Sequence, residues 1–182
     1  MSSIRASLRQ KRRALTQHQQ LIAEQALYQQ LVKQAWFQAA SDIGFYWPAD
    51  GEISPLTTLN WCLDNDKTPA LVFQSFEAST ELNLNRFKIP EPSLKQTSTV
   101  QATQLDVIIV PLVGFNRAGF RLGMGGGYYD RVLSQPDSGP AKPLLIGVGH
   151  SCQESQFPVQ EWDVAMDFIV TELEIITSAK DH

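Results

Sequence analysis

Leu105-Asp-Val-Ile-Ile-Val-Pro-Leu-Val-Gly-Phe-Asn-Arg-Ala-Gly-Phe-Arg-Leu-Gly-Met-Gly-Gly-Gly-Tyr-Tyr-Asp-Arg131 joins an apolar run to a glycine-rich loop. Leu105 to Val110 is a continuous β-branched run, the pattern of a buried central strand. Gly119, Gly123, Gly125, Gly126 and Gly127 follow, so five of the chain's eleven glycines lie within nine residues. Glycine accepts positive φ and lets a ligand approach main-chain N–H groups. Successive N–H groups in such a loop form a nest for an anion. Arg121 and Arg131 add positive charge, and Asp130 adds a hard oxygen ligand. This is the equipment of a phosphate site with a divalent metal.

Outward from this stretch, strands alternate with helices. Residues 4–38 predict one or two helices, with a break near Thr16, a plausible N-cap. Asp42 to Trp47 predicts a strand closed by Pro48 and the turn Ala-Asp-Gly. Ser54-Pro55 predicts a helix start, serine as N-cap and proline at the first helical position, running to about Leu63. Ala70 to Phe73 predicts a second strand, and Leu82 to Phe87 a half-exposed one. Pro90, Pro92 and the Ser/Thr-rich stretch to Gln104 predict a connector. Gly127 to Leu133 predicts a helix, and Leu144 to Val148 and Val164 to Val170 predict strands. Glu172 onward reads as a polar tail. The expected fold is α/β, a three-layer sandwich with a mostly parallel central sheet. Ligands in such folds bind beyond the carboxyl ends of the strands, where the glycine loop falls.

The chain has 182 residues, 43% apolar and 19% charged, with net charge −4. One domain over 1–182 is expected. The acidic balance argues against nucleic acid as a partner. Cys62 and Cys152 match no zinc spacing and read as structural thiols of a reduced, cytoplasmic protein. No apolar run reaches membrane-helix length, and the start Met-Ser-Ser-Ile-Arg lacks the apolar core of a secretory signal. A monomer is expected.

The N-terminus is basic: Arg5, Arg9, Lys11, Arg12 and Arg13 precede the first acid, Glu24. On a helix, Ile4, Leu8 and Leu15 share one stripe, and Arg5, Arg9 and Arg12 share the next. The basic stripe is either a solvated face or an edge that reaches a bound polyphosphate.

Known phosphate motifs narrow the chemistry. No Walker A string is present. A Gly-x-Gly-x-x-Gly fingerprint begun at Gly123 meets Tyr128, and one begun at Gly125 meets Asp130. The fold is therefore Rossmann-like without the dinucleotide fingerprint. There is no Gly-x-Ser-x-Gly elbow and no His-Glu-x-x-His.

The string Arg121-Leu-Gly-Met-Gly-Gly-Gly-Tyr-Tyr-Asp-Arg131 closely resembles the signature of the 5-formyltetrahydrofolate cyclo-ligase (methenyltetrahydrofolate synthetase) family. Val110-Pro-Leu-Val-Gly-Phe115 resembles the family's apolar strand, and Ile89-Pro90-Glu91-Pro92 its Pro-flanked segment. Phe157-Pro-Val-Gln-Glu-Trp-Asp163, Met166-Asp167 and Val170-Thr-Glu resemble its C-terminal block. The resemblance runs along nearly the whole chain and is most specific at 105–131.

The resemblance implies a ligase that uses ATP and Mg²⁺ to convert 5-formyltetrahydrofolate to 5,10-methenyltetrahydrofolate. It implies nucleotide contacts from Arg5, Arg9, Arg121, Leu122, Gly123, Met124, Gly125, Gly126, Gly127, Tyr128 and Tyr129. It places Arg121 and Asp130 in catalysis, and Asp130 and Asp163 on the metal. The folate would touch Trp47, Glu52, Met124, Gly125, Gly126, Gly127 and Tyr128. Read from the residues alone, Trp47 is as readily core, and Glu52 and Asp163 are ordinary turn or loop acids. One of Tyr128 and Tyr129 is expected in the core. His150 reads as a structural histidine. Two positions depart from the family: Met1 replaces a lysine, and Asn116 replaces an aspartate after Phe115. Loss of turnover with retained binding is the alternative those departures allow.

Overall fold

The computed structural model describes residues 2–71, 74–85, 90–93, 98–125, 129, 142–161 and 163–178. Thr16 divides the N-terminal helical stretch as expected. It separates α1 (Ser2–Arg13) from α2 (Gln17–Leu31). Gln19 N donates to Thr16 Oγ1 (3.2 Å) while Thr16 N donates to Gln19 Oε1 (2.8 Å), a reciprocal cap that satisfies two orphan donors. A further short helix, α3 (Ala35–Ala39), leads into β1 (Asp42–Phe45).

The next helix, α4 (Leu56–Asp64), starts one residue later than expected, with Pro55 itself at the N-cap. Proline has no side-chain acceptor, so the orphan N–H groups are met from elsewhere. Ser54 Oγ accepts from Leu56 N, and Glu24 Oε1 of α2 accepts from both Thr57 N (3.1 Å) and Thr57 Oγ1 (2.7 Å). A carboxylate at a helix N-terminus also meets the positive end of the helix dipole.

The remaining strands are β2 (Thr68–Leu71), β3 (Gln74–Ser75), β4 (Leu82–Leu84), β5 (Pro90–Pro92), β6 (Val107–Pro111), β7 (Gly114–Phe115), β8 (Arg121–Leu122), β9 (Leu144–Val148), β10 (Phe168–Val170) and β11 (Ile175–Thr177). Seven form one sheet in the order β11-β10-β9-β6-β1-β2-β3. The interior pairs β10/β9, β9/β6, β6/β1 and β1/β2 are parallel, and the two edge pairs are antiparallel. The sheet is mixed, mostly parallel and flanked by helices, as the β-branched runs predict.

Side chains of the sheet alternate between two cores. Ile43, Phe45, Val107, Ile109, Ile146 and Val148 face α2, α3 and α4 through Leu27, Leu31, Phe37 and Leu59. Ile108, Val110, Leu145 and Ile169 face the other way, with Leu112, Phe115, Met166 and Tyr129. Burial on both faces explains the unbroken apolar runs.

Three expectations are corrected. Residues 90–92 are not a bare connector but a strand pairing antiparallel with β4. Residues 175–177, read only as part of a polar tail, form the edge strand β11, anchored by Ile176 in the core. The glycine loop does not follow the central strand directly, because the β7–β8 hairpin intervenes. Gly119, at φ +91°, belongs to that hairpin turn. Residues 72–73, 86–87 and most of the helix expected at 127–133 lie outside the described residues; Tyr129 is helical.

Candidate active site

The helix α1 lies across the carboxyl ends of β1 and β6 and reaches both halves of the site. Its Leu8 is buried with Leu122 and Val113. That contact seats the neighbouring basic stripe inward, so the stripe is not a solvated face. Arg5 Nε donates to Gly123 O at 2.8 Å, across 118 residues of sequence. Gly125 lies beside the same guanidinium at φ +93°, a conformation that favours glycine. Among the described residues, a Cβ added at Gly123 would meet nothing within 4 Å. Met124 between them is exposed, while the Leu122 side chain is inside. Arg5, Gly123 and Gly125 thus form one edge in which a cation and two glycines meet.

Arg9 is engaged differently. Arg9 Nε donates to Asp50 Oδ2 (2.8 Å), Arg12 Nη2 to the same oxygen (2.8 Å), and Arg13 Nε to Asp50 Oδ1. Desolvation pushes the Asp50 carboxyl up, but the three guanidinium hydrogen bonds outweigh it and hold it at about 2. Asp50 has φ +54° and Gly51 φ +78°, so the Ala-Asp-Gly turn is sharply folded. Arg12 is wholly buried and also bonds Asp50 O and Leu112 O. Gln153 Nε2 donates to Leu112 O and Val113 O, and accepts from His150 N through Oε1. His150 Nε2 lies 3.1 Å from Gly51 O, and a carbonyl can only accept, so this nitrogen carries the proton. Burial lowers the His150 pKa, which keeps the ring neutral. His150 is structural, as expected.

This scaffold presents Glu52. Its Oε2 accepts from Ala49 N (3.1 Å), and its Oε1 lies 3.5 Å from Arg12 Nη2. Burial raises the Glu52 pKa to about 7, against the opposing pull of Arg12. It is therefore no ordinary turn acid, because it takes up or releases a proton near neutrality. A cavity of about 520 Å³ adjoins it, lined also by Pro48, Gln20, Leu21, Glu24 and Ser54. Trp47 is half-buried and packs on the main core. Tyr129 is partly buried and packs against the second core.

The third cluster gathers around Arg121, which is buried on β8. Its Nη1 donates to Val164 O at 3.4 Å, next to Asp163. Asp163 Oδ2 accepts from Gln160 N (2.8 Å), which fixes its turn. Asn116 Oδ1 accepts from Ala118 N and Phe120 N, both at 3.1 Å, so this amide shapes the hairpin leading to Arg121. Asp130, Gly126, Gly127 and Tyr128 lie outside the described residues. Among the described residues no three acids, histidines or cysteines cluster as a metal centre.

Sequence reading missed Arg12, Asp50 and Gln153. Arg12 was visible in the basic stripe, but its acceptor lies 38 residues away. Gln153 carried no signal.

Comparison with known proteins bears on the whole chain. The family model of the 5-formyltetrahydrofolate cyclo-ligase family matches residues 1–172. A 5-formyltetrahydrofolate cyclo-ligase of Escherichia coli (strain K12) is 35% identical over 176 residues, covering 90% of this chain and 96% of that protein. The protein of the same name from Haemophilus influenzae is 33% identical, covering 90% and 92%. The NMR structure of Aquifex aeolicus 5,10-methenyltetrahydrofolate synthetase superposes with a TM-score of 0.83 at 28% identity, covering 100% of this chain and 94% of that one. A family model that spans nearly the whole chain, relatives similar along most of its length and a solved structure of the same fold agree, and the chain belongs to the 5-formyltetrahydrofolate cyclo-ligase family.

Proposed function

We propose that this chain, acting as a single catalytic unit, uses ATP and Mg²⁺ to close 5-formyltetrahydrofolate to 5,10-methenyltetrahydrofolate. The γ-phosphoryl of ATP moves to the formyl oxygen and ADP is released. N10 then attacks the formyl carbon and loses its proton, the carbon–oxygen bond breaks, and inorganic phosphate leaves. Such chemistry asks the protein for positioning and charge neutralisation more than for covalent steps.

One observation carries this reading: the bond from Arg5 Nε to Gly123 O, which sets a helix-borne cation on the glycine loop. Main-chain N–H groups of 123–127 hold phosphate oxygens. Arg121, buried and aimed along the 163–164 segment, offsets charge on the transferring group. Asp130 and Asp163 would hold Mg²⁺, which supplies charge neutralisation at the phosphates. Glu52 hydrogen-bonds the amidine edge of the pterin, and Trp47 packs on its ring.

The test is absorbance growth of the methenyl product from purified protein with 5-formyltetrahydrofolate, ATP and Mg²⁺. Growth that requires all three supports the proposal; growth without ATP, or none with all three, refutes it. Asp130→Asn is expected to abolish Mg²⁺-dependent turnover in a folded protein. Normal turnover in that variant would remove Asp130 from the metal site.

A further inference from the structure

We propose that Arg12 is a positioning residue for the reaction: its buried guanidinium ties the Asp50–Glu52 turn and the exit of β6 to α1, so that the helix bearing Arg5 also holds Glu52 in place. The inference rests on Glu52 as a folate contact, as proposed above. Each nitrogen of the guanidinium is used. Nε bonds Asp50 O (2.8 Å), Nη1 bonds Leu112 O (2.9 Å), and Nη2 bonds Asp50 Oδ2 (2.8 Å) with Glu52 Oε1 3.5 Å away. The turn it grips is left-handed at both Asp50 and Gly51, and at Asp50, which is no glycine, that conformation persists only when its surroundings impose it. The far side of that turn is closed by His150 on Gly51 O. Arg12 is fully buried and so acts through Glu52, not on a ligand. A lysine is a point charge and cannot reproduce this fork.

The charged and titratable groups around Glu52 are Arg12 and Arg9 from α1, Asp50 from its own turn and Tyr46 from the end of β1, with Arg13 of α1 and Glu24 of α2 lining the same cavity. Arg12 favours the Glu52 carboxylate and Asp50 disfavours it. Removing them therefore moves the titration of Glu52 in opposite directions. A residue that merely stabilised the fold would move it in neither.

The experiment is steady-state kinetics across the neutral pH range on wild type, Arg12→Lys, Arg12→Gln and Asp50→Asn. Arg12→Lys keeps the charge and loses the fork; its KM for 5-formyltetrahydrofolate is expected to rise about tenfold or more, with less effect on the KM for ATP. Arg12→Gln is expected to add an upward move of the acidic limb by about one pH unit, and Asp50→Asn a downward one. Asp50 is partly exposed, so Asp50→Asn decides the direction if Arg12→Gln does not fold. Folded variants with a folate KM within about twofold of wild type, or with unmoved limbs, overturn the inference. Wild type without turnover overturns the cyclo-ligase proposal and the inference with it. Turnover with unmoved variants overturns the inference alone.

Discussion

Gly119→Ala is expected to destabilise the protein severely, from a position outside the phosphate loop. Gly119 has φ +91°, and a Cβ built there would lie 2.2 Å from Ser178 Cβ and 3.1 Å from Met166 O. Neither neighbour is the end of a flexible side chain. Ser178 N is bonded to Asp167 O, and Met166 N to Gly119 O, so the turn is wedged between the segment that precedes β10 and the residue that follows β11. The left-handed backbone costs an alanine about 1–2 kcal/mol. Forcing a methyl into a packed site costs about 1–3 kcal/mol more. The sum, about 2–5 kcal/mol, lowers Tm by roughly 4–20 °C for a domain of this length. Thermal melts of Gly119→Ala, Ser178→Gly and the double variant separate the two contributions. Removing the Ser178 side chain relieves the clash but not the backbone strain. The double variant should recover about 1–3 kcal/mol relative to additivity. A wild-type Tm for Gly119→Ala, or strictly additive variants, would refute the reasoning.

Arg5→Ala removes a charged hydrogen bond of about 1.5–3 kcal/mol and should raise the KM for ATP about 10- to 100-fold, with a smaller change for the folate; initial rates against each substrate check this. The Asp50 carboxyl lies at about 2 in the folded chain against an ordinary 3.8, so its contribution to stability is complete above 3.8 and is lost as pH falls toward 2. Urea unfolding of Asp50→Asn should accordingly show a flatter acid loss than wild type over that window, and parallel curves would contradict the clamp. The Cys62 thiol is buried and pushed up to about 12 by desolvation, so a thiol reagent at mildly alkaline pH should label Cys152 first in the native protein. Equal labelling rates before unfolding would place Cys62 outside the core.

Much of the fold was legible because burial on both faces of a parallel sheet leaves no polar alternation. Leu144 to Val148 therefore matches its strand residue for residue, and Leu105 to Val110 is displaced by two at its start. Thr16 was legible because its cap is closed within three residues. The strands at 90–92 and 175–177 were not. Prolines and polar neighbours mask them, and their partners β4 and β10 supply the hydrogen bonds.

For the site, the sequence alone determined the chemical inventory: the glycines at 123–127, Arg121, and the basic stripe of α1. These are local properties, since backbone freedom and charge belong to the residues themselves. Only the tertiary structure decided which cation meets which partner. Arg5 goes to the glycine loop, whereas Arg9, Arg12 and Arg13, one to two turns further along the same helix, close on Asp50. Nothing in their spacing distinguishes them. The difference arises because Leu8 docks α1 against Val113 and Leu122, which sets one end of the helix over the loop and the other over the turn after β1. The same docking buries Glu52 beside Arg12 and brings its titration to neutrality. Desolvation depends on everything packed around a group, and so it appears only when the chain has folded.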